Sequence, residues 1–61
     1  MTAAEALRDR AREYELLAAW HDERAPLSSE SAGAAVGFFV AAIVMREVAA
    51  ALEEDEERWA A

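Results

Sequence analysis

A chain of 61 residues is long enough for one small domain. A domain of this size leaves roughly 40% of its unfolded surface exposed and usually depends on a disulfide, a metal or a partner chain. The sequence has no cysteine and one histidine, His21, which argues against a disulfide framework and a Cys/His zinc site. The net charge of −7 repels phosphate backbones, so we expect no nucleic acid partner.

The composition is biased beyond its charge. All six basic residues are arginine, 17 residues are alanine, and lysine, asparagine and glutamine are absent. This bias indicates a GC-rich genome, such as that of an actinobacterium or one of its phages. The first twelve residues lack the apolar region of a secretory signal, and we expect a cytoplasmic protein.

The first predicted element is a helix over residues 3–24. Thr2 and Glu5 have the spacing of a capping box, and no glycine or proline follows before Pro26. Leu16 and Trp20 lie nearly opposite the main apolar face and form a smaller patch, while Leu17 widens the main face. That main face consists of Leu7, Ala11, Tyr14, Ala18, His21 and Ala25.

A turn over residues 25–28 follows, because Pro26 disfavours helix at the residue before it and cannot donate a helical hydrogen bond. Ser28 or Ser29 is suited to cap the next helix, and Glu30 in its first turn favours the helix dipole. The second helix is expected over residues 29–59.

The second helix has an apolar stripe on one side. Phe38 and Met45 fall at the back of this stripe. The stripe itself contains Val36, Phe39, Val40, Ile43 and Ala50, extended by Val44, Val48, Leu52 and Trp59.

Residues 32–45 hold no charge, hydroxyl or amide, so this stretch must be hidden in a bilayer, in the protein's own core or against another chain. As a helix it spans about 21 Å, short of the roughly 30 Å hydrocarbon core. Lengthening it adds charged residues such as Arg46 and Glu47. Their insertion into a bilayer costs more free energy than the insertion of alanine and glycine provides. The balance favours burial against protein, with a membrane span as the alternative.

Small residues at Gly33, Gly37 and Ala41 are spaced four apart, which lets two helix backbones approach closely. Trp20 and Trp59 are suited either to an interface or to the ends of a bundle. The residues predicted to form an interface are Gly33, Val36, Gly37, Phe38, Phe39, Val40, Ala41, Ile43, Val44, Met45, Trp20 and Trp59.

No motif predicts a catalytic, cofactor or metal site. His21, Asp22 and Glu23 are adjacent on a helix and point about 100° apart, so they cannot converge on one ion. The residue three positions before His21 is Ala18, so the Glu-x-x-His motif of di-iron bundles is missing. Five consecutive acids at 53–57 are typical of a solvated helix end, with a basic partner as the second interpretation.

The prediction is therefore an all-α fold, an antiparallel two-helix hairpin that assembles into a helical bundle. Contacts between copies are expected either on the Gly33/Gly37/Ala41 side or on the Phe38/Met45 side. The expected function is that of a non-enzymatic oligomeric interaction or structural subunit, with itself or a larger protein assembly as partner. The alternative is a single-pass membrane protein with residues 32–52 as the span and a cytoplasmic N-terminus.

Overall fold

The computed structural model describes residues 1–60, and two antiparallel helices make up nearly all of them. Helix α1 covers Ala3–Arg24, a short 3-10 turn covers Ala25–Leu27, and helix α2 covers Ser29–Ala60. The two helices pack side by side along the length of α1. The all-α hairpin predicted from the sequence is confirmed.

Local capping sets the beginning of α1. The Thr2 hydroxyl accepts a hydrogen bond from the Glu5 amide at 3.1 Å, and the Glu5 carboxylate accepts one from the Thr2 amide at 3.3 Å. This reciprocal pair is the predicted capping box, and it satisfies amides that have no partner within the helix.

The chain reverses at Ser28. Its backbone is extended (φ −152°, ψ 120°), and its hydroxyl accepts a hydrogen bond from the Ser31 amide at 3.2 Å. Of the two serines that the sequence offered as a cap for α2, the structure uses Ser28. Pro26 lies within the 3-10 turn, where its missing amide is tolerated.

The buried residues of the hairpin are all alanines. They recur every seven residues, which is two helical turns, and so form one straight line on each helix. With side chains this small, the two backbones can approach closely. The line comprises Ala4, Ala11 and Ala18 on α1 and Ala35, Ala42 and Ala49 on α2.

Larger side chains alternate with these alanines and fix the register. The rings of Tyr14 and Phe38 meet edge to face with centroids 5.4 Å apart. Nearer the turn, a 3.3 Å hydrogen bond joins His21 Nδ1 and Ser31 Oγ. The helices are therefore antiparallel, so residues nearer the N-terminus of α1 lie beside residues nearer the C-terminus of α2.

Two ion pairs connect the helices, and each helix contributes the arginine of one pair. Glu15 pairs with Arg46, and Arg8 pairs with Glu53. All four side chains are 42% to 47% exposed, so each pair contributes about 1 kcal/mol or less. Their main effect is to favour this register over one shifted by a turn.

The hairpin is elongated and has little interior. It measures 52 × 16 × 10 Å, and its radius of gyration of 14.6 Å exceeds the roughly 10.5 Å expected for a compact chain of this length. Its accessible surface of 4632 Å² likewise exceeds the roughly 3,900 Å² typical of a folded monomer of its mass.

The side of α2 that packs on α1 differs from the predicted stripe. Phe38 and Met45, which the size-weighted pattern placed at the back, are half-buried on the packed side together with Ala35, Ala42 and Ala49. Apart from Leu52, which is half-buried on the packed side, the larger side chains of the stripe are turned outward. The cause is geometric, because a line of alanines permits a closer helix approach than a line of valines.

Candidate functional site

The part of the α2 surface that α1 leaves uncovered is apolar. We call it the outer face, and it comprises Gly33, Val36, Gly37, Phe39, Val40, Ile43 and Val44. Its five large side chains are 43% to 64% exposed. The packed side, called the inner face, comprises Ala35, Phe38, Ala42, Met45, Ala49 and Leu52.

The outer face is large for so small a chain. The exposed fractions of its five large side chains correspond to on the order of 450 Å² of apolar surface, within the range of patches that mark functional sites. This is about a tenth of the total surface, the share that a specific interface takes on a small protein.

The two glycines of α2 form open notches in the outer face. A Cβ atom built at Gly33 or at Gly37 meets no atom within 4 Å outside the helix's own backbone. Neither glycine is needed for α1 to pack on α2, and both lie in ordinary helical backbone. Each glycine lowers helix stability by about 1 kcal/mol relative to alanine, and no contact within one chain offsets that loss.

A second apolar patch lies on α1. Leu16 and Trp20 are 67% and 49% exposed, on the side that the sequence placed opposite the main face of α1. Leu17, which was expected to widen the main face, is 41% exposed and extends this patch instead. The guanidinium of Arg24 covers one face of the Trp20 indole at 3.4 Å from its centroid and donates to the Trp20 carbonyl at 2.8 Å. This cation–π contact partly shields the patch from water.

An open groove of about 480 Å³ lies on the side that carries Phe39. Three alanines line it, together with Val36 and Phe39 from the outer face. Glu15 and Asp22 are its acids, and Glu15 is already paired with Arg46. The groove offers apolar contact and no converging set of polar groups.

His21 is a packing residue in this structure. Its ring stacks on Phe38 with centroids 5.6 Å apart, and its Nδ1 is hydrogen-bonded to Ser31. It also lies in the last turn of α1. Within residues 1–60, no three His, Cys, Asp or Glu side chains are placed to hold a metal ion.

The C-terminal part of α2 projects beyond α1. Residues 54–60 are all exposed, including Trp59 at 89%. Arg58 forms an ion pair with Asp55 at 3.7 Å. The acids at 54–57 therefore stand on a free helical end.

The predicted interface residues fall into three groups. Seven of them form the outer face, with Ala41 half-buried at its edge. Phe38 and Met45 belong to the inner face and are engaged with α1. Trp20 and Trp59 lie far from the outer face, one beside the turn and one near the end of α2. What the sequence analysis missed is the alanine line, although its seven-residue spacing in both helices was a usable signal.

Comparisons with protein-family models, with curated proteins and with solved structures found no match. One helix among residues 1–60, Ser29–Ala60, is long and apolar enough to cross a bilayer by length and composition. Only 17% of its apolar window is buried, whereas the core helix of a globular protein would be mostly buried. The hairpin's own core therefore covers one side of residues 32–45 and leaves the outer face exposed.

Proposed function

We propose that this chain is a non-enzymatic, self-assembling helical subunit whose outer face is buried against protein. The observation that carries the proposal is the exposure of the five large apolar side chains of the outer face, while the hairpin buries only alanine. Side chains of this size contribute to stability only when water is removed from them.

The energetics support assembly as the source of stability. Burying on the order of 450 Å² of apolar surface is worth about 11 kcal/mol per chain before the costs of association. The alanine line buries little by comparison, and two exposed ion pairs add about 1 kcal/mol each at most. Association is therefore expected to add to the stability of the folded hairpin.

The alternative is a single-pass membrane protein with residues 32–52 as the span, which the length and exposure of the apolar window favour. Against it, α1 lies along the same stretch of α2, and Arg46 within the span is paired with Glu15. Insertion would either separate the helices or draw charged residues of α1 into lipid, at several kcal/mol for each ionised group at mid-depth.

The mass of the purified protein in detergent-free buffer tests the proposal. Light scattering on a sizing column is expected to give a multiple of the 6.7 kDa chain mass. A monomeric mass at tens of micromolar contradicts it. Retention in the membrane pellet after a carbonate wash contradicts it as well and identifies α2 as a span.

A further inference from the structure

From the outer face we infer that the partner is a second copy of this chain, docked antiparallel through α2, with Gly33 opposite Val44 and Gly37 opposite Val40. The inference rests on the proposed function and specifies its interface. The two copies are related by a two-fold axis and form a four-helix arrangement with the α1 helices outermost.

The outer face has a shape that is complementary to itself. Gly33, Gly37, Val40 and Val44 are spaced four, three and four residues apart, so they form one continuous seam on the outer face. The small residues occupy its first half and the valines its second half. An antiparallel copy therefore places every valine opposite a glycine notch, and a two-fold axis repeats each contact.

A parallel copy lacks this fit. It sets glycine against glycine, which leaves voids, and valine against valine, which holds the backbones apart. Since a Cβ at either glycine meets nothing within one chain, the notches acquire a packing role only in the antiparallel pair.

The area of the outer face also favours pairing with a second copy. Pairing two outer faces, each with Val48 added, removes about 1,000 Å² of surface from water, which reaches the lower limit for a specific interface. The flanking acids Glu30 and Glu47 fall at the ends of the seam, where they stay in contact with water. No charged residue lies between them on α2 except Arg46, which is paired with Glu15.

Disulfide trapping tests the register, because the chain has no native cysteine. Gly33→Cys protein is mixed with Val44→Cys protein under mild oxidation, and the disulfide products are separated by mass. The antiparallel pairing predicts a mixed disulfide that exceeds both homodisulfides, because identical positions lie about 16 Å apart in the pair. Gly33→Cys mixed with Ala50→Cys is the matched control and should give no mixed product.

Three outcomes would overturn the inference. A dominant Gly33→Cys homodisulfide indicates parallel pairing. A dimeric mass without the mixed disulfide indicates another face, and in both cases the proposed self-assembly survives. A monomeric wild-type chain in detergent-free buffer removes the inference and the proposed function together.

Gly37→Leu provides a second, non-covalent test. The structure has room for the side chain, and leucine is a better helix former than glycine, so the hairpin itself should not suffer. The leucine fills the notch that receives Val40 of the second copy, and the dimer should dissociate. Ala50→Leu adds a comparable side chain outside the seam and should leave the mass unchanged; an undiminished mass for Gly37→Leu contradicts the register.

Discussion

The two faces of α2 invert the usual distribution of side chains. The inner face, which is covered, has alanine at its most buried positions, whereas the outer face, which is uncovered, carries valine, isoleucine and phenylalanine. In an ordinary globular domain the larger side chains would be inside, because burying them stabilises the fold most. In this chain the interior thus provides close approach of the two helices, and the larger apolar side chains of α2 remain uncovered.

The two faces should therefore respond differently to substitution. Changes on the inner face alter the distance between α1 and α2, and so act on the hairpin. Changes on the outer face leave the hairpin contacts intact and act on assembly.

Val40→Glu should abolish assembly. A carboxylate in the middle of the outer face would be desolvated without a partner, which costs several kcal/mol and raises the dissociation constant by about 100-fold or more. Sedimentation velocity measures the effect. Ala50→Glu adds the same charge on another exposed part of α2 and should keep the wild-type mass; equal behaviour of the two variants would contradict the role of the outer face.

Ala42→Leu should destabilise the hairpin by about 1 to 3 kcal/mol, because the added carbons force α1 and α2 apart at the centre of the alanine line. Urea unfolding followed by circular dichroism measures the free energy of unfolding. Ala50→Leu serves as the control for added bulk and helix propensity. If the two leucine variants unfold alike, close approach of the helices is not what the buried alanines provide.

The neighbouring residues Phe38 and Phe39 offer a matched pair, since one belongs to each face. Phe38→Ala removes ring contacts with Tyr14 and His21 and should lower hairpin stability by about 2 kcal/mol. Phe39→Ala should weaken association instead. Unfolding is compared in the Val40→Glu background, where the chain is expected to be monomeric, and association in the wild type. A stability loss of equal size for both would remove the distinction between the faces.

Glu15→Gln should have the smallest effect. It removes the ion pair with Arg46, which is nearly half exposed, and should lower the free energy of unfolding by about 1 kcal/mol or less. The loss should disappear in concentrated salt, which screens exposed charges. Glu23→Gln, with the same charge change at the turn end of α1, is the control; a salt-independent loss would show that Glu15 acts through packing.

Local signals in the sequence were enough to predict the hairpin. The capping box at Thr2 and Glu5, the proline at 26 and the serine pair at 28–29 each act within a few residues, so their outcome does not depend on how the helices meet. The face of α1 was also predicted correctly, because its alanines, Tyr14 and His21 share one side with Leu7.

The packed face of α2 could not be read in the same way. A pattern weighted by hydrophobic size ranks Val40 above Ala42, although the alanine is the one buried. Which face is covered depends on the match between two helices, and the relevant signal is the shared seven-residue alanine spacing in α1 and α2. The uncovered outer face follows from this choice, so it too requires the packed structure.

Chain reversal at Ser28 has a consequence for the length of the molecule. Residues 3–27 and 29–60 are all helical, so Ser28 carries the extended backbone that separates the two helices. Straightening this hinge would convert a hairpin 52 Å long into a rod with a contour of roughly 87 Å. The contacts between α1 and α2 and the cap at Ser28 oppose that opening. A short hinge of this kind is also where two copies could exchange their first helices. The end-to-end dimension in solution thus reports directly on whether the bend is held.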